Sequence, residues 1–445
     1  MRKVCAIILG KLLIILTKIT KKGSVFAGNT ALKIDENLLY KLKMPPKVIA
    51  VTGSSGKGST TKLIADVYRK LGFSVVHNSS GANLRAGILT TFLKVCTLSG
   101  KVNKDVAVIE MDEKWAKYVF PAIKPNYVVI TNITRDQPPR QGNFDLVYEE
   151  IKKSLNKDIH LILNADDPYL QKLALDNNYK ISYFGIDKTK YSYTKSKFEN
   201  LNLVYCPKCN HKLDYDFYHF ENIGKYHCPN CGLAHPINDF TVNNINYDNN
   251  EITINHDNKI KIPFGMLFAV YNTLAAYTVL CVNGLDKNKI NVAINEITAI
   301  NNHFKCFEEN NRLVYTLNNK NENSTTFNQS LLFIDRDKSP KTIVIGWKEI
   351  SRRYKYNDLS WLYDINFELL QNHNIEKVVC IGIDQYDIAV RIKLANIETK
   401  KIICFKELED ATKYLKNNTA ENIYAVLNFD YVQPFIDYMK GAKWW

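Results

Sequence analysis

Hydrophobic positions along the chain follow two alternating rhythms. Short runs rich in β-branched residues, at 48–51 and 106–111, are followed by longer stretches of helical spacing such as 60–71. Runs at 127–130 and 161–163 are apolar throughout, the pattern of strands covered on both faces by helices in a mostly parallel sheet. An α/β fold is therefore expected. The rhythm fails between about 188 and 261, where Tyr, Asn and Asp crowd around paired cysteines, so an insertion with its own small fold is expected there. A helix resumes after Gly265. From Lys341 the alternation restarts, at 342–345, 378–383, 402–405 and 423–427, and predicts a second, Rossmann-like α/β domain. The Asn-, Lys- and Ser-rich stretch 309–340 marks the boundary. The chain thus divides into an N-terminal helical segment (1–46), a central domain (47–308, with the insertion at about 200–236) and a C-terminal domain (309–445).

Composition changes this picture little. At 445 residues, with 46% hydrophobic and 23% charged positions, the chain has the makeup of a folded protein with more than one core. The formal charge of +14 would attract nucleic acid, an anionic membrane or a phosphorylated substrate alike, and the scattered lysines fit a solvated surface as well. Six of the ten cysteines stand singly and look like small buried hydrophobes, and reduced thiols point to the cytoplasm. Residues 1–22 hold apolar runs broken by Lys11 and Lys18, too short for the roughly 20 residues of a spanning helix. An amphipathic helix packed on the body is expected, with a peripheral position on the inner, anionic membrane face as the alternative.

The chemistry is carried by strand ends. In Val51-Thr52-Gly53-Ser54-Ser55-Gly56-Lys57-Gly58-Ser59-Thr60-Thr61 a strand enters a Gly-rich turn and a helix leaves it. Glycines let backbone amides close around phosphate oxygens, the helix N-terminus adds partial positive charge, and Lys57 reaches the β- and γ-phosphates. Gly53, Ser54, Ser55, Gly56, Lys57, Gly58, Ser59 and Thr60 are thus the expected ATP-binding residues, with Ser59 or Thr60 holding magnesium. Gly58 stands where a phosphate loop ordinarily has Ser or Thr. Glu110, closing the second apolar strand, is placed for magnesium as well, although a solvated acidic turn would read the same. Further polar strand ends, Thr131-Asn132-Ile133-Thr134 and Asn164-Ala165-Asp166-Asp167-Pro168, converge on that edge. Cys206-Pro207-Lys208-Cys209 and Cys228-Pro229-Asn230-Cys231 are two knuckles eighteen residues apart, the spacing of a four-thiolate zinc ribbon; a redox pair is the alternative.

These motifs occur in the order found in the Mur ligases, which the chain resembles: Thr-Gly-x-x-Gly-Lys, the strand-end Glu, Thr-Asn-Ile followed by Arg-Asp, Leu-Asn-Ala-Asp-Asp-Pro, and Tyr271-Asn272-Thr273-Leu274-Ala275-Ala276. The resemblance implies conversion of a carboxylate to an acyl phosphate by ATP, an adenine contact from Asn272, and a substrate cleft lined by Asn78, Ser80 and Asn83. A Mur-like domain carrying a four-cysteine ribbon, together with Asp358-Leu359-Ser360-Trp361-Leu362-Tyr363-Asp364-Ile365-Asn366-Phe367, is similar to the MurT family. That resemblance implies a catalytic Asp358 completing the triad of a GatD-like glutaminase partner, and a lipid-linked cell-wall precursor as substrate; the residue types alone also allow Asp358 to be a helix cap. The pattern departs from the family at Gln137-Pro138-Pro139-Arg140-Gln141-Gly142, at Ala269, at Asn302-His303-Phe304-Lys305-Cys306 and at Asn318-Asn319-Lys320-Asn321. Other readings are a Mur-type peptide ligase, a nucleic-acid-binding ATPase, and a degenerate scaffold. The ribbon lacks interleaved aromatic and basic residues, so no nucleic-acid partner is expected.

Overall fold

The computed structural model describes residues 1–20, 25–79, 81–134, 144–176, 178–198, 204–297, 304–319, 323–348, 359–371 and 374–441. They form two compact units. The first takes Met1–Thr134, Phe144–Lys195 and Leu203–Thr298; the second runs Ala299–Trp445 and includes Ser196–Asn202.

The first unit opens with helices α1 (Arg2–Thr20) and α2 (Phe26–Ile34), then winds β1 (Lys47–Thr52), α3 (Lys57–Lys70), β2 (Val75–His77), α4 (Arg85–Leu93), β3 (Val106–Glu110), α5 (Ala116–Ile123), β4 (Tyr127–Ile130), α6 (Phe144–Ser154), β5 (His160–Asn164), α7 (Pro168–Asp176) and β6 (Lys180–Ile186). The hairpin β7 (Asp214–Phe220) and β8 (Ile223–His227) belongs to the cysteine insertion, after which come β9 (Phe240–Asn246), β10 (Glu251–Ile254), β11 (Asn258–Lys261), α8 (Leu267–Val282) and α9 (Lys287–Glu296). Nine strands share one sheet in the order β11-β10-β9-β6-β5-β4-β1-β3-β2, parallel from β9 to β2. Its central strands β1, β3, β4 and β5 are almost wholly buried because both faces are covered, whereas β9 and β11 at the antiparallel edge carry polar residues. Val48 and Ala50 belong to the core beneath α1, α2 and α4 to α7, while the alternate residues Ile49 and Val51 are equally buried on the face taken by α3 and α8. The expected irregular region therefore contributes more than an insertion, since β9 to β11 extend the main sheet by an antiparallel edge.

Helix α1 packs one face on the body. Ala6, Ile7 and Ile14 are buried, and Gly10 sits against Leu93 and Ala31, where a Cβ would stand 2.8 Å from Leu93 Cδ1 and press that side chain aside. Lys3 and Lys11 donate to the carbonyls of Ser99 and Leu93 at 2.6 and 2.8 Å. No helix among the described residues is long and apolar enough to cross a membrane.

The second unit holds β12 (Phe304–Glu309), β13 (Arg312–Asn319), α10 (Ser324–Arg336), β14 (Lys341–Trp347), β15 (Ile375–Gly382), α11 (Gln385–Leu394), β16 (Ile402–Phe405), α12 (Leu408–Asn418), β17 (Asn422–Asn428) and α13 (Phe429–Met439). The sheet order is β12-β13-β17-β14-β15-β16, parallel apart from β12. The stretch 309–340, expected as a boundary, supplies a strand and a helix of this domain; Val314, Thr316 and Leu317 are buried despite their polar neighbours. Among the single cysteines, Cys96 and Cys380 are buried as expected, whereas Cys5 and Cys306 are exposed.

Candidate active site

The loop between β1 and α3 is shaped by two glycines in the left-handed region, Gly53 at φ +121° and Gly56 at φ +82°. A side chain at either would also collide, with Thr131 at the first and with Asn272 at the second. The end of β4 clamps the turn. The Asn132 carbonyl accepts from the Ser54 amide at 2.9 Å, the Asn132 side chain accepts from the Ser55 amide at 3.0 Å, and Thr131 Oγ1 donates to the Ser55 carbonyl at 2.6 Å. Ser54 Oγ donates to the Thr134 carbonyl and accepts from the Thr134 amide, both at 2.9 Å, so this hydroxyl serves the loop's shape. The first turn of α3 then opens its amides onto the loop, the arrangement that binds phosphate.

Lys57 is buried at the start of α3. Its ammonium donates to the Gly53 carbonyl, to the Ser54 carbonyl at 3.2 Å and to Glu113 Oε1 at 2.6 Å. Glu113 is itself buried, so the ion pair is shielded from water. Sequence reasoning passed over Glu113 because it follows the strand end by three residues and has the spacing of a surface turn.

Glu110 ends β3 beside the same helix. Its Oε2 lies 3.2 Å from where a Cβ at Gly58 would stand, and its Oε1 accepts from Asn83 Nδ2 at 3.1 Å. Asn78, expected in the substrate cleft, is buried and spends its amide on Glu110, accepting from the backbone N–H and donating to the carbonyl, both at 2.9 Å. It positions the carboxylate. Ser59 is exposed; Thr60 is buried and donates to Asn272 Oδ1 at 3.3 Å. Asn272, on α8, thus leans on the phosphate loop at Gly56 and Thr60. Ser80 lies outside the described residues, as do 137–142 and Asp358.

A second polar knot sits at the end of β5. Asp166 accepts from His235 Nε2 at 2.8 Å, from the Ile186 amide at 2.8 Å and from the Tyr271 hydroxyl at 2.6 Å, joining β5, β6, the insertion and α8. Its neighbour Asp167 accepts from the amides of Ile133 and Tyr169 at 2.9 Å each, and burial pushes its carboxyl up to about 7. Neither His235 nor Tyr271 carried a signal in sequence that paired it with Asp166.

In the insertion the four sulfurs of Cys206, Cys209, Cys228 and Cys231 lie within 4.8 Å of one another, with Cys206–Cys231 and Cys209–Cys228 at 3.5 Å. Thiolates around a tetrahedral zinc at about 2.3 Å stand roughly 3.8 Å apart, so the cluster fits that ion. The Lys208 amide donates to Cys206 Sγ at 3.4 Å, a bond that stabilises a thiolate ligand.

Beyond Asp358, the turns Ser360–Asp364 and Phe367–Leu370 are fixed by Arg391 of α11. Its guanidinium donates to the carbonyls of Leu362 and Ile365 and, two-pronged at 2.9 Å, to Glu368. Trp361 and Phe367 are buried against Phe327.

Comparison with known proteins gives the following. Residues 51–235 match the model of the Mur ligase middle domain, and 321–431 that of the MurT ligase C-terminal domain. The MurT subunit of the glutamine-hydrolysing lipid II isoglutaminyl synthase of Staphylococcus aureus is 31% identical over 95% of this chain and 94% of its own. In fold, the chain is similar to a pseudomurein peptide ligase type C from Methanothermus fervidus, with a TM-score of 0.69 and 21% identity over 90% of this chain and 80% of that one. MurF of Thermotoga maritima, solved with ADP, gives a TM-score of 0.59 at 15% identity over 93% and 84%.

Proposed function

The chain belongs to the MurT family of Mur ligase-like ligases, and from that premise we propose that it is the ATP-dependent amidating subunit of a two-subunit enzyme. The substrate proposed is the α-carboxylate of D-glutamate in lipid II, the product D-isoglutamine, and the nitrogen source ammonia from a GatD-like glutaminase. The carboxylate oxygen attacks the γ-phosphorus of ATP, ADP leaves, ammonia adds to the acyl phosphate carbon, and phosphate departs.

The observation that carries this reading is the convergence of the phosphate loop and the Glu110 carboxylate at one strand edge, with Asn272 lying over the loop. Lys57 and the first turn of α3 place positive charge where phosphate oxygens collect. Glu110 and the hydroxyl of Ser59 or Thr60 are the groups to hold magnesium, which when bound neutralises charge on the phosphoryl oxygens. Asn78 and Asn83 keep the Glu110 carboxylate aimed at the loop. The four thiolates would hold a structural zinc, closed to water because all four positions are filled by protein. Asp358 would orient the imidazole of the partner's Cys–His pair.

Co-expression with the neighbouring glutaminase gene, followed by an assay of glutamine- and ATP-dependent amidation of lipid II, tests the proposal. Amidation is expected, and a formed complex that does not amidate overturns it. Asp358→Asn should abolish turnover with glutamine and spare turnover with free ammonia.

A further inference from the structure

The outward face of α1 is unlike any ordinary surface helix. Val4, Ile8, Leu9, Leu12 and Ile15 are all exposed, Leu12 and Ile15 at 51% and 59%. At about 100° per residue they fall in one arc of about 140°, opposite the buried Ala6, Ile7 and Ile14. No charged residue falls inside the arc. Charge stands at its margins, Arg2 on one side and Lys11 on the other, while Lys3 lies on the buried face; the ammonium groups of Lys3 and Lys11 are held by body carbonyls. Beneath α1, exposed Lys33 follows on α2 and exposed Lys94 at the end of α4.

Charge across the whole segment is lopsided. Residues 1–46 carry nine Lys and Arg against two acids, half of the chain's +14 in about a tenth of its length. One of those acids, Asp35, is buried and paired with Lys41 at 2.7 Å. The arc is aliphatic apart from Cys5 and holds no aromatic residue, whereas the anchoring residues of protein interfaces are chiefly aromatic or Arg. An aliphatic stripe edged by cations is the composition of a helix lying in the headgroup layer.

We propose that α1 docks the protein on an anionic lipid bilayer, its axis along the membrane plane and its Val4–Ile15 face among the acyl chains. Two weak signals act together, apolar burial and attraction of the basic segment to acidic headgroups, and that combination makes peripheral binding stable. The helix does not span the membrane. The inference extends the proposed function, since a lipid-linked substrate lies at that surface, but it is read without turnover.

Flotation of the full chain, alone and with its glutaminase partner, on vesicles of phosphatidylcholine with about one third phosphatidylglycerol is the test. The wild type is expected to float with these vesicles and to do so less on phosphatidylcholine alone. Leu12→Glu with Ile15→Glu should cut the bound fraction about tenfold or more. Both side chains face solvent, so the thermal midpoint should not move; Val4→Glu with Ile8→Glu is the second variant should the first fail to fold. Amidation of a substrate fragment without its lipid tail should be unchanged. A wild type that does not float, or variants that float equally, overturns the proposal. So does loss of the partner subunit from the variants, which would make the face a protein interface. Failure of amidation with flotation intact would instead count against the function alone.

Discussion

Lys57 shows how a residue can be recognised in sequence while its state is not. Two glycines at fixed spacing, a lysine and a helix start made the phosphate loop legible, because only glycine tolerates those backbone angles and contacts. Glu113 was not legible. Its role depends on being buried beside Lys57, and nothing in the spacing of an acidic turn reports burial. Phosphate must compete with this carboxylate for the ammonium, so Glu113→Gln should tighten ATP binding, about three- to tenfold by calorimetry, while lowering the stability of the nucleotide-free protein by about 3–5 kcal/mol. Unchanged binding together with unchanged stability would remove Glu113 from the site. Asp167 gives a pH dependence with a definite sign. Burial raises its carboxyl to about 7, above the ordinary 3.8, so the folded state holds a proton that the unfolded state has released. Its contribution is therefore full below about pH 4 and drains as pH rises toward 7, at up to roughly 1.4 kcal/mol per unit. In urea melts, the wild type should lose stability between pH 5 and 8 relative to Asp167→Asn, and parallel curves would refute the assignment.

At the scale of elements, the central parallel strands were legible because cover on both faces leaves them largely apolar, as at 127–130, whereas 402–405, also placed to the residue, is a half-buried edge strand read from its apolar β-branched run. β13 was not, since Asn318 and Asn319 close a strand whose pairing partner β17 lies more than a hundred residues away. The cysteine insertion was legible as a four-thiol cluster by spacing alone, but not as a unit latched to the sheet. That latch is His235 on Asp166, reinforced by the Gly224 amide, which donates to the Asp166 carbonyl at 3.0 Å. His235→Ala leaves the four thiolates untouched, so metal analysis should still give about one zinc per chain. The thermal transition should fall by the equivalent of about 1–3 kcal/mol, because an aspartate nearly shut off from water loses a donor. Weaker ATP binding should accompany it, since Asp166 also holds Tyr271, next to Asn272. An unshifted transition would mean that the ribbon is merely tethered.

At the scale of the whole molecule, each α/β unit carries one half of the proposed chemistry: the phosphate site on the first, the residue that answers to a partner's nucleophile on the second. Composition could not reveal this division, because the +14 charge is shared by substrate, membrane and solvent readings alike. Motif order fits it better, since the phosphate loop, Glu110 and the runs at Thr131 and Asn164 fall on strand ends or turns of the first unit, with Asn272 on α8 beside them. The second half rests on Asp358, and the structure holds the chain just after it with unusual care. Arg391 is buried and binds two carbonyls and both oxygens of Glu368, so the turns from Ser360 to Leu370 cannot shift without breaking a charged network. An aspartate that must orient an imidazole tolerates little displacement, and a misplacement of about 1 Å can cost on the order of 100-fold. Arg391→Lys keeps the charge and loses the fork. It should therefore depress glutamine-supported turnover about 10- to 100-fold while leaving ammonia-supported turnover within about twofold. Glu368→Gln, which weakens the same strap from the other side with less risk to the core, should give the same split in smaller measure. Equal loss with both nitrogen sources would show that Arg391 merely stabilises the domain, and would leave the placement of Asp358 to other contacts.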